Sequence, residues 1–450
     1  MWPLVAAGVG IYLAGNIIVY GLRAYRRMHA EDGGGEAAEE SSREGSENVS
    51  NPRVAVLSRC IGLDIGSSFS KIAHLDSVAC PLISVLENRE GRRSVASAVC
   101  ALSAEEGLQI GSLARASRYA KSSKTAASSI VMRLMAEVSA EVTIDGKTYS
   151  ADALCSLLAR EMLLTTNAKG IKDVPTIINV PNNFTDAARN RLLKAVRNAG
   201  TEAIAVVPDG IASVLGGLTV MGPKGHEILT PAGYGGEAVT VAVIDIGGRI
   251  TQLSLINISH RDGEPSLHAA DSDAGLVLKI DSHITLPIGG ETFDECIAQW
   301  CNEQFSMAHS AVLRGSLLDD PLAKQRLFDA VEEARHDLSV SGSSHITIPF
   351  ITATSGGPLH LSQLLSRAQL DKLLAPSVLD IQESFRKILF TGGATAPLRA
   401  ILLVGGGSRM PFARRLVQEV TGGLNATSFA EPEVLACIGA ARFSRLVHSN

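Results

Sequence analysis

The tripeptide Asp-Ile-Gly occurs twice in this chain, at residues 64–66 and 245–247, each time after an apolar run and before small polar residues. Its glycines allow backbone N–H groups to approach an anion, because a glycine has no Cβ in the way. Asp64 and Asp245 repel a phosphate group, but a hydrated divalent cation between carboxylate and phosphate removes that conflict. The two copies therefore predict one phosphate and metal site, built from two similar halves of the protein.

Each copy stands between two predicted strands. Residues 61–65 and 239–246 are short apolar runs, and an alternating run follows each of them. Elsewhere, strand-like runs alternate with helical patterns, which is the organisation of an α/β protein. The pattern also predicts a helix that starts after Thr185 and ends near Gly200, and a surface loop over residues 222–236.

Two further glycine turns precede predicted helices. A buried strand at 402–404 leads into the turn 405–409 and a helix that begins near Pro411. A helix N-terminus after a glycine turn is a natural seat for a nucleotide. Residues 289–291, ahead of a predicted helix at 292–305, form a weaker example of the same pattern.

The predicted helix over residues 324–338 carries a row of polar side chains. Glu332, Arg335, His336 and Ser339 are about one turn apart and share a face. Taken alone, this row is also typical of a solvated surface.

Length and composition narrow the class of protein. At 450 residues the chain is long enough for two or three units, each with its own core. Charged residues make up 19% and the net charge is -5, so the sequence predicts no nucleic-acid partner. The seven cysteines include no Cys-x-x-Cys pair, which argues against a disulfide framework or a zinc site and favours a reducing compartment.

The N-terminal segment has a different character. Residues 2–22 carry no charge, and about 20 apolar residues suffice for one transmembrane helix. Arg23, Arg26 and Arg27 follow at once, which favours a cytosolic or matrix location for the rest of the chain. A cleaved signal peptide or a buried helix are alternatives to this anchor, but no basic region precedes the apolar run. Residues 31–51, rich in Gly, Glu and Ser, predict a flexible acidic tether.

Four segments resemble the nucleotide-binding domain of the heat shock protein 70 family, whose fold is shared with actin and sugar kinases. They are residues 62–70, 180–189, 289–294 and 404–411, in the order of the family. The resemblance implies an α/β protein with a two-lobed, actin-like ATPase fold and duplicated ribonuclease H-like cores. The resulting organisation is an anchor at 1–30, a linker at 31–51 and a domain at 52–450, with lobe I at about 52–218, lobe II at about 219–430 and a return to lobe I at 431–450.

The resemblance also implies bound ATP or ADP with Mg²⁺. In the family two turns hold the triphosphate and the metal, so Asp64 and Asp245 are expected to hold Mg²⁺ through water. The residues expected around the phosphates are Gly66, Ser67, Ser68, Phe69, Gly247 and Gly248. Those expected around the adenosine are Gly290, Glu332, Arg335, His336, Ser339, Gly406, Gly407, Ser408, Arg409 and Glu433. The candidate catalytic residues are Asp64, Asp245, Arg115 and Asp209.

The second phosphate turn departs from the family pattern. Where the family has a third glycine, a threonine and an aspartate, this chain has Arg249, Ile250 and Gln252. The family's catalytic lysine corresponds to Arg115, and an acidic residue of the family corresponds to Asp209. Loss of one positioned donor typically lowers a rate by about 100-fold or more. We therefore expect nucleotide binding to persist while hydrolysis is weak or absent.

Family members continue through a linker into a peptide-binding domain, and this chain ends about where that linker would begin. The sequence thus predicts a membrane-tethered, chaperone-like scaffold or co-chaperone, with chaperone or co-chaperone proteins as partners. One alternative is an active ATPase that drives folding, assembly or translocation at a membrane. Another is an actin-like polymer at a membrane. A Gly- and Ala-rich anchor followed by arginines favours a mitochondrial membrane, with the endoplasmic reticulum as the alternative.

Overall fold

The computed structural model describes residues 59–447, apart from 77–82, 102–106, 117–125, 129, 135–139, 232–236, 261–275 and 314. The predicted anchor and acidic tether lie outside this part of the chain. Within it, no helix combines the length and the apolar character that crossing a bilayer requires.

Strands form two main sheets and three small ones in the described part of the chain. In chain order they are β1 (Cys60–Ile65), β2 (Phe69–Leu75), β3 (Ile83–Val85), β4 (Val95–Ala96), β5 (Ala98–Ala101), β6 (Leu108–Ile110), β7 (Ala126–Ser128), β8 (Glu141–Ile144), β9 (Lys147–Ser150), β10 (Thr176–Val180), β11 (Ala203–Pro208), β12 (Val239–Ile246), β13 (Thr251–His260), β14 (Leu276–Leu286), β15 (Ser343–Thr354), β16 (Gly357–Ser366), β17 (Leu398–Val404) and β18 (Thr427–Ser428).

Helices alternate with these strands along the chain. They are α1 (Ser112–Ala116), α2 (Ile130–Arg133), α3 (Ala151–Ala168), α4 (Asp186–Asn198), α5 (Asp209–Met221), α6 (Pro223–Leu229), α7 (Gly290–Ala308), α8 (Pro321–Asp337), α9 (Arg367–Thr391), α10 (Pro411–Thr421) and α11 (Leu435–Val447), with 3₁₀ turns at Gly406–Arg409 and Pro432–Val434.

The two main sheets share one arrangement. Sheet I has the order β11-β10-β1-β2-β3, with β4 also paired to β2, and sheet II has the order β14-β13-β12-β17-β18. Each contains an antiparallel hairpin, β1–β2 or β12–β13, whose first strand also pairs in parallel with a later strand, β10 or β17. The two Asp-Ile-Gly copies therefore occupy matching positions, at the ends of β1 and β12.

Helices cover both sheets and also join them. α3 and α4 pack on sheet I, where Leu63 and Leu158 belong to one buried cluster. α7, α8, α9 and α10 enclose a second cluster with sheet II, which includes Phe293. α5 and α11 lie between the sheets, because their buried faces share a third cluster with Ile177 of sheet I and Val243 of sheet II.

The structure confirms the strands predicted before both Asp-Ile-Gly copies and most of the predicted helices. Thr185 caps α4, since its hydroxyl accepts a hydrogen bond from the Ala188 N–H at 3.2 Å. The loop predicted for residues 222–236 is wrong over 223–229, which form α6. A proline at the first position of a helix has no N–H to satisfy, and Gly222 with a φ of 58° provides the turn before it.

Helices α5 and α11 cross with their backbones in contact. A Cβ added to Gly439 in α11 would collide with the Ala212 carbonyl oxygen, and one added to Gly216 in α5 would collide with the Leu435 carbonyl oxygen. Gly62 in β1 approaches the backbone of α11 in the same way. Only glycine permits such an approach. The crossing thus holds the helix pair against the strand that carries the first Asp-Ile-Gly.

We expect Gly439→Ala to lower the free energy of unfolding by about 1–3 kcal/mol or more, because the added methyl group must displace packed backbone. Gly342→Ala is the matched control, since Gly342 is exposed and has open space around its Cβ position. The control should change stability by less than about 0.5 kcal/mol. Urea unfolding followed by circular dichroism measures the stability of both variants. Equal stability of the two would contradict the close backbone contact between α5 and α11.

Candidate functional site

A cavity of about 520 Å³ lies between the two hairpin turns, a size typical of ligand pockets. Its walls come from both sheets, from the start of α7, one face of α8 and the turn after β17. The candidate residues of the sequence analysis line this cavity, with Ser408 as the exception. The Ser408 hydroxyl instead donates to the Gly405 carbonyl oxygen at 2.7 Å and closes the turn.

The two phosphate turns touch each other across the cavity. A Cβ on Gly248 would collide with the Ser68 hydroxyl oxygen. That hydroxyl donates to Glu291 Oε1 at 2.6 Å, and Arg249 Nε lies 3.2 Å from Glu291 Oε2. The Glu291 backbone N–H donates to the Gly248 carbonyl oxygen at 2.7 Å. One residue, Glu291, therefore bridges the turns of the two sheets.

Three carboxylates meet beside these turns: Asp64 at the end of β1, Asp245 at the end of β12 and Asp209 at the start of α5. Asn179 in β10 donates from Nδ2 to one oxygen of Asp64 and one of Asp209, both at 2.9 Å. Gln252 in β13 donates from Nε2 to the other Asp209 oxygen at 2.6 Å. Amide groups from two sheets thus hold two of the three carboxylates.

The register of the hairpins determines the remaining partners. In each hairpin the residue seven positions after the aspartate lies directly opposite it, so Lys71 faces Asp64 and Gln252 faces Asp245. Lys71 Nζ lies 3.2 Å from Asp64 Oδ2. Within the described part of the chain, the Asp245 carboxylate makes no hydrogen bond or ion pair.

Burial and mutual repulsion raise the pKa of two of these carboxyl groups. Burial is the larger cause, and the Asp64 charge adds to it, so that the pKa of Asp209 is raised to about 6. The pKa of Asp245 is raised to about 8 by burial and by the charges of Asp209 and Asp64, which Lys71 offsets in part. Without a bound cation, Asp245 is therefore mostly protonated at neutral pH.

The cluster fits a hydrated divalent cation. Among the described residues, no group of three His, Cys, Asp or Glu side chains is arranged to ligate a metal directly. Asn179 Oδ1, however, is buried without a hydrogen-bond partner in the described structure, and a metal-bound water could donate to it. Mg²⁺ usually keeps several of its waters. A cation near Asp245 would also relieve the repulsion that raises the pKa of this group.

An ion pair connects α1 to the wall formed by α8. Arg115 Nη2 donates to both carboxylate oxygens of Glu332 at 2.6 Å. The Arg115 guanidinium also lies 4.5 Å from the centroid of the Phe69 ring, a cation–π contact. The arginine that the resemblance matched to a catalytic lysine is thus held by a carboxylate and a ring.

A second, buried ion pair joins α8 to α7. Arg335 donates from Nε and Nη2 to the two oxygens of Asp294, at 2.6 and 3.1 Å. Burial raises the pKa of Asp294 to about 6, an effect that the Arg335 charge limits. Gly290 packs on this guanidinium, since a Cβ there would lie 3.3 Å from Arg335 Nη2. Burial and Arg335 lower the pKa of His336, so the wall presents a neutral imidazole near a fixed guanidinium.

The turn after β17 forms another part of the cavity wall. Gly406 and Gly407 lie in the 3₁₀ turn after β17, and a Cβ on Gly407 would collide with the Ile246 side chain. Arg409 donates to both oxygens of Glu433 at 2.8 and 3.1 Å. The glycines thus allow this turn to pack closely on β12, and the ion pair lies beside it.

Sequence reasoning missed four residues of this site: Lys71, Asn179, Glu291 and Asp294. Lys71 lies opposite Asp64 because of the length of the hairpin turn, and only the structure gives this length. Asn179 had a weak signal, as a polar residue in an otherwise apolar strand. Glu291 and Asp294 depend on contacts between distant elements.

Two sheets of like topology, each presenting a glycine turn and an aspartate to one cleft, define a two-lobed nucleotide-binding domain with the actin-like ATPase fold. A family model described as Hsp70 protein matches residues 109–449, about three quarters of the chain. The chain therefore belongs to the Hsp70 family, and the predicted family and fold class are confirmed. It is a chaperone-like nucleotide-binding protein of a family that binds ATP or ADP with Mg²⁺. The β1–β2 hairpin precedes the matched residues.

We expect Asp245→Asn to become more stable than the unmodified chain as the pH rises. The difference in free energy of unfolding between the two should grow from about pH 5 to pH 8, in a chelating buffer without nucleotide. The pKa of Asp245 is about 8 in the folded state, and that of an unfolded aspartate is about 3.9. Between these two values Asp245 is protonated in the folded state and ionised in the unfolded state. The free energy of unfolding of the unmodified chain therefore falls as the pH rises. The difference should grow by up to about 1.4 kcal/mol per pH unit.

Thermal unfolding at several pH values measures this difference. Asp380→Asn is the control, because Asp380 is an exposed aspartate on α9. A stability difference between Asp245→Asn and the unmodified chain that does not vary with pH would contradict the repulsion inferred for the cluster.

Proposed function

We propose that this chain binds ATP or ADP with Mg²⁺ in the cavity between its two sheets and hydrolyses ATP weakly or not at all. In this proposal it acts as a membrane-tethered scaffold or co-chaperone whose conformation depends on the bound nucleotide. The family, the paired glycine turns and the carboxylate cluster support nucleotide binding. The ion pairs of the cavity support the weak hydrolysis.

Every basic side chain of Lys or Arg among the described lining residues is held in an ion pair. The pairs are Lys71–Asp64, Arg93–Glu431, Arg115–Glu332, Arg335–Asp294 and Arg409–Glu433. Phosphoryl transfer depends on cations that are aimed at the transferred group. Cations that protein carboxylates already neutralise contribute less to that field. This pairing is the observation that most favours binding without efficient turnover.

The second phosphate turn supports the same conclusion. Ile250 lines the cavity and presents an apolar side chain where the family has a hydroxyl group. Gln252 is engaged at both ends, because its Nε2 donates to Asp209 and its Oε1 accepts from the Asn182 backbone N–H at 2.8 Å. An attacking water needs a positioned acceptor. A neutral amide that is already bonded in this way is a poor one.

The site retains the groups that are needed to bind the nucleotide before any reaction. Backbone N–H groups of the two glycine turns can hold phosphate oxygens. Asp64 and Asp245 would hold a hydrated Mg²⁺, which supplies neutralisation of the phosphates when it is bound. Closure of the two sheets around the nucleotide would replace the contact between Ser68 and Glu291, and this exchange is the proposed switch.

The tether part of the proposal rests on residues 2–22 and the arginines that follow them. A mitochondrial membrane is proposed, with the endoplasmic reticulum as the alternative. The acidic segment at 31–51 would keep the nucleotide-binding domain close to the bilayer. Alkaline extraction of fractionated membranes tests the tether, and release of the chain into the soluble fraction would speak against it.

We expect the purified full-length chain to bind ADP with Mg²⁺ in isothermal titration calorimetry. Gly248→Val should weaken this binding by about 10-fold or more, because its side chain would force the two phosphate turns apart. Gly342→Val, at an exposed site with open space, is the control and should bind as the unmodified chain does. Absence of binding by the unmodified chain would refute the proposed nucleotide function.

We expect single-turnover ATP hydrolysis to be slow and to rise by about 10-fold or more in the double variant Arg249→Gly with Ile250→Thr, which restores a donor of the second turn. The corresponding change at an exposed position away from the cavity, Val340→Thr, should leave the rate unchanged. A fast rate in the unmodified chain that the double variant does not raise would favour the alternative, an active ATPase.

A further inference from the structure

Lys71 places a buried ammonium group at the cluster of three carboxylates. Its Nζ lies 3.2 Å from Asp64 Oδ2, and the two side chains are only 12% and 14% exposed. It also donates to the Phe69 carbonyl oxygen at 3.3 Å. A lysine that faces a carboxylate at this distance carries its positive charge at neutral pH.

The backbone makes this contact a permanent part of the fold. Lys71 lies directly opposite Asp64 in the β1–β2 ladder, so both side chains are on the same face of the sheet. The contact needs neither a loop nor a ligand to form. The positive charge is thus in place before any nucleotide or metal arrives.

The second hairpin provides an internal comparison. Gln252, at the position that matches Lys71, is neutral and its amide donates to Asp209. Among the described residues, a cation thus lies in direct contact with Asp64, whereas Asp245 has none in contact. The duplicated turns are alike in backbone but different in charge.

We propose that Lys71 is a built-in counter-cation, whose ammonium group makes nucleotide binding less dependent on Mg²⁺ than it would be with an uncharged residue at this position. The proposal rests on the proposed nucleotide function. The ammonium cancels the Asp64 charge that would otherwise repel the phosphates, and a hydrated divalent cation beside this carboxylate would have the same effect. It also competes with that cation for Asp64, so it should lower the affinity of the nucleotide-free protein for Mg²⁺. Lys71 is a positioning residue in this scheme and takes part in no bond-making step.

The test compares the dissociation constant of ADP in EDTA with that in Mg²⁺, measured by calorimetry on the full-length chain. We expect the ratio of the two constants to be about 10-fold or more larger in Lys71→Met than in the unmodified chain. Lys147→Met is the matched control, because it removes the same charge from an exposed position on β9. The control should keep the ratio of the unmodified chain.

A second measurement does not involve nucleotide. Titration of Mg²⁺ into the nucleotide-free protein should show tighter binding by Lys71→Met than by the unmodified chain. Lys71→Gln retains a hydrogen-bond donor for Asp64 but lacks the charge. If Lys71→Met has a lower thermal midpoint than the unmodified chain, Lys71→Gln replaces it in both measurements.

The outcomes separate the two proposals. A ratio for the Lys71 variants equal to or smaller than that of the unmodified chain would overturn the role of Lys71, even if ADP binds well in Mg²⁺. An unchanged affinity of the nucleotide-free variants for Mg²⁺ would overturn it as well. Absence of ADP binding by the unmodified chain in both buffers would instead refute the proposed function.

Discussion

Three carboxylates close together in a buried site repel one another, and much of this structure serves to make that repulsion tolerable. Asp64 has an ammonium and an amide bonded to it and Asp209 has two amides, whereas Asp245 has neither among the described residues. The groups come from β2, β10 and β13, and Asp209 itself from α5. Desolvated charge is costly unless it is paired. Strands and helices of both sheets must therefore reach their final register before the site is stable, so fold and site form together.

The same cluster shows what a sequence can predict. The strands before each turn and the helix behind Thr185 follow from periodicity and capping, and the glycine turns follow from spacing. The helix at 223–229 was missed because Gly and Pro, which begin it, are equally typical of loops. The lysine opposite Asp64 follows only once the length of the hairpin turn is known. The bridge from Ser68 to Glu291 joins residues 223 positions apart, and no local pattern encodes such a contact.

The two hairpins show how a duplicated element can acquire different roles without a change of backbone. Both turns present a glycine and an aspartate to one cavity, and both ladders place the seventh following residue opposite the aspartate. One hairpin carries a charge at that position and the other a neutral amide. Because the two hairpins have similar backbones but different charges, a charged ligand between them is more stable in one orientation than in the reverse orientation. In the proposed nucleotide complex, the first hairpin would favour the phosphates and the second would leave room for a hydrated metal ion.

The contact of α11 with β1, β2 and β10 affects how the chain folds during synthesis. These strands are made early and the helix that covers them is made late, so the contact spans most of the described sequence. Such distant contacts form slowly, and the surfaces that await them are prone to aggregation. Until residues 435–447 are made, the face of sheet I around Ile177 lacks the part of its cover that α11 provides. We therefore expect the partly synthesised chain to be most prone to aggregation at this face.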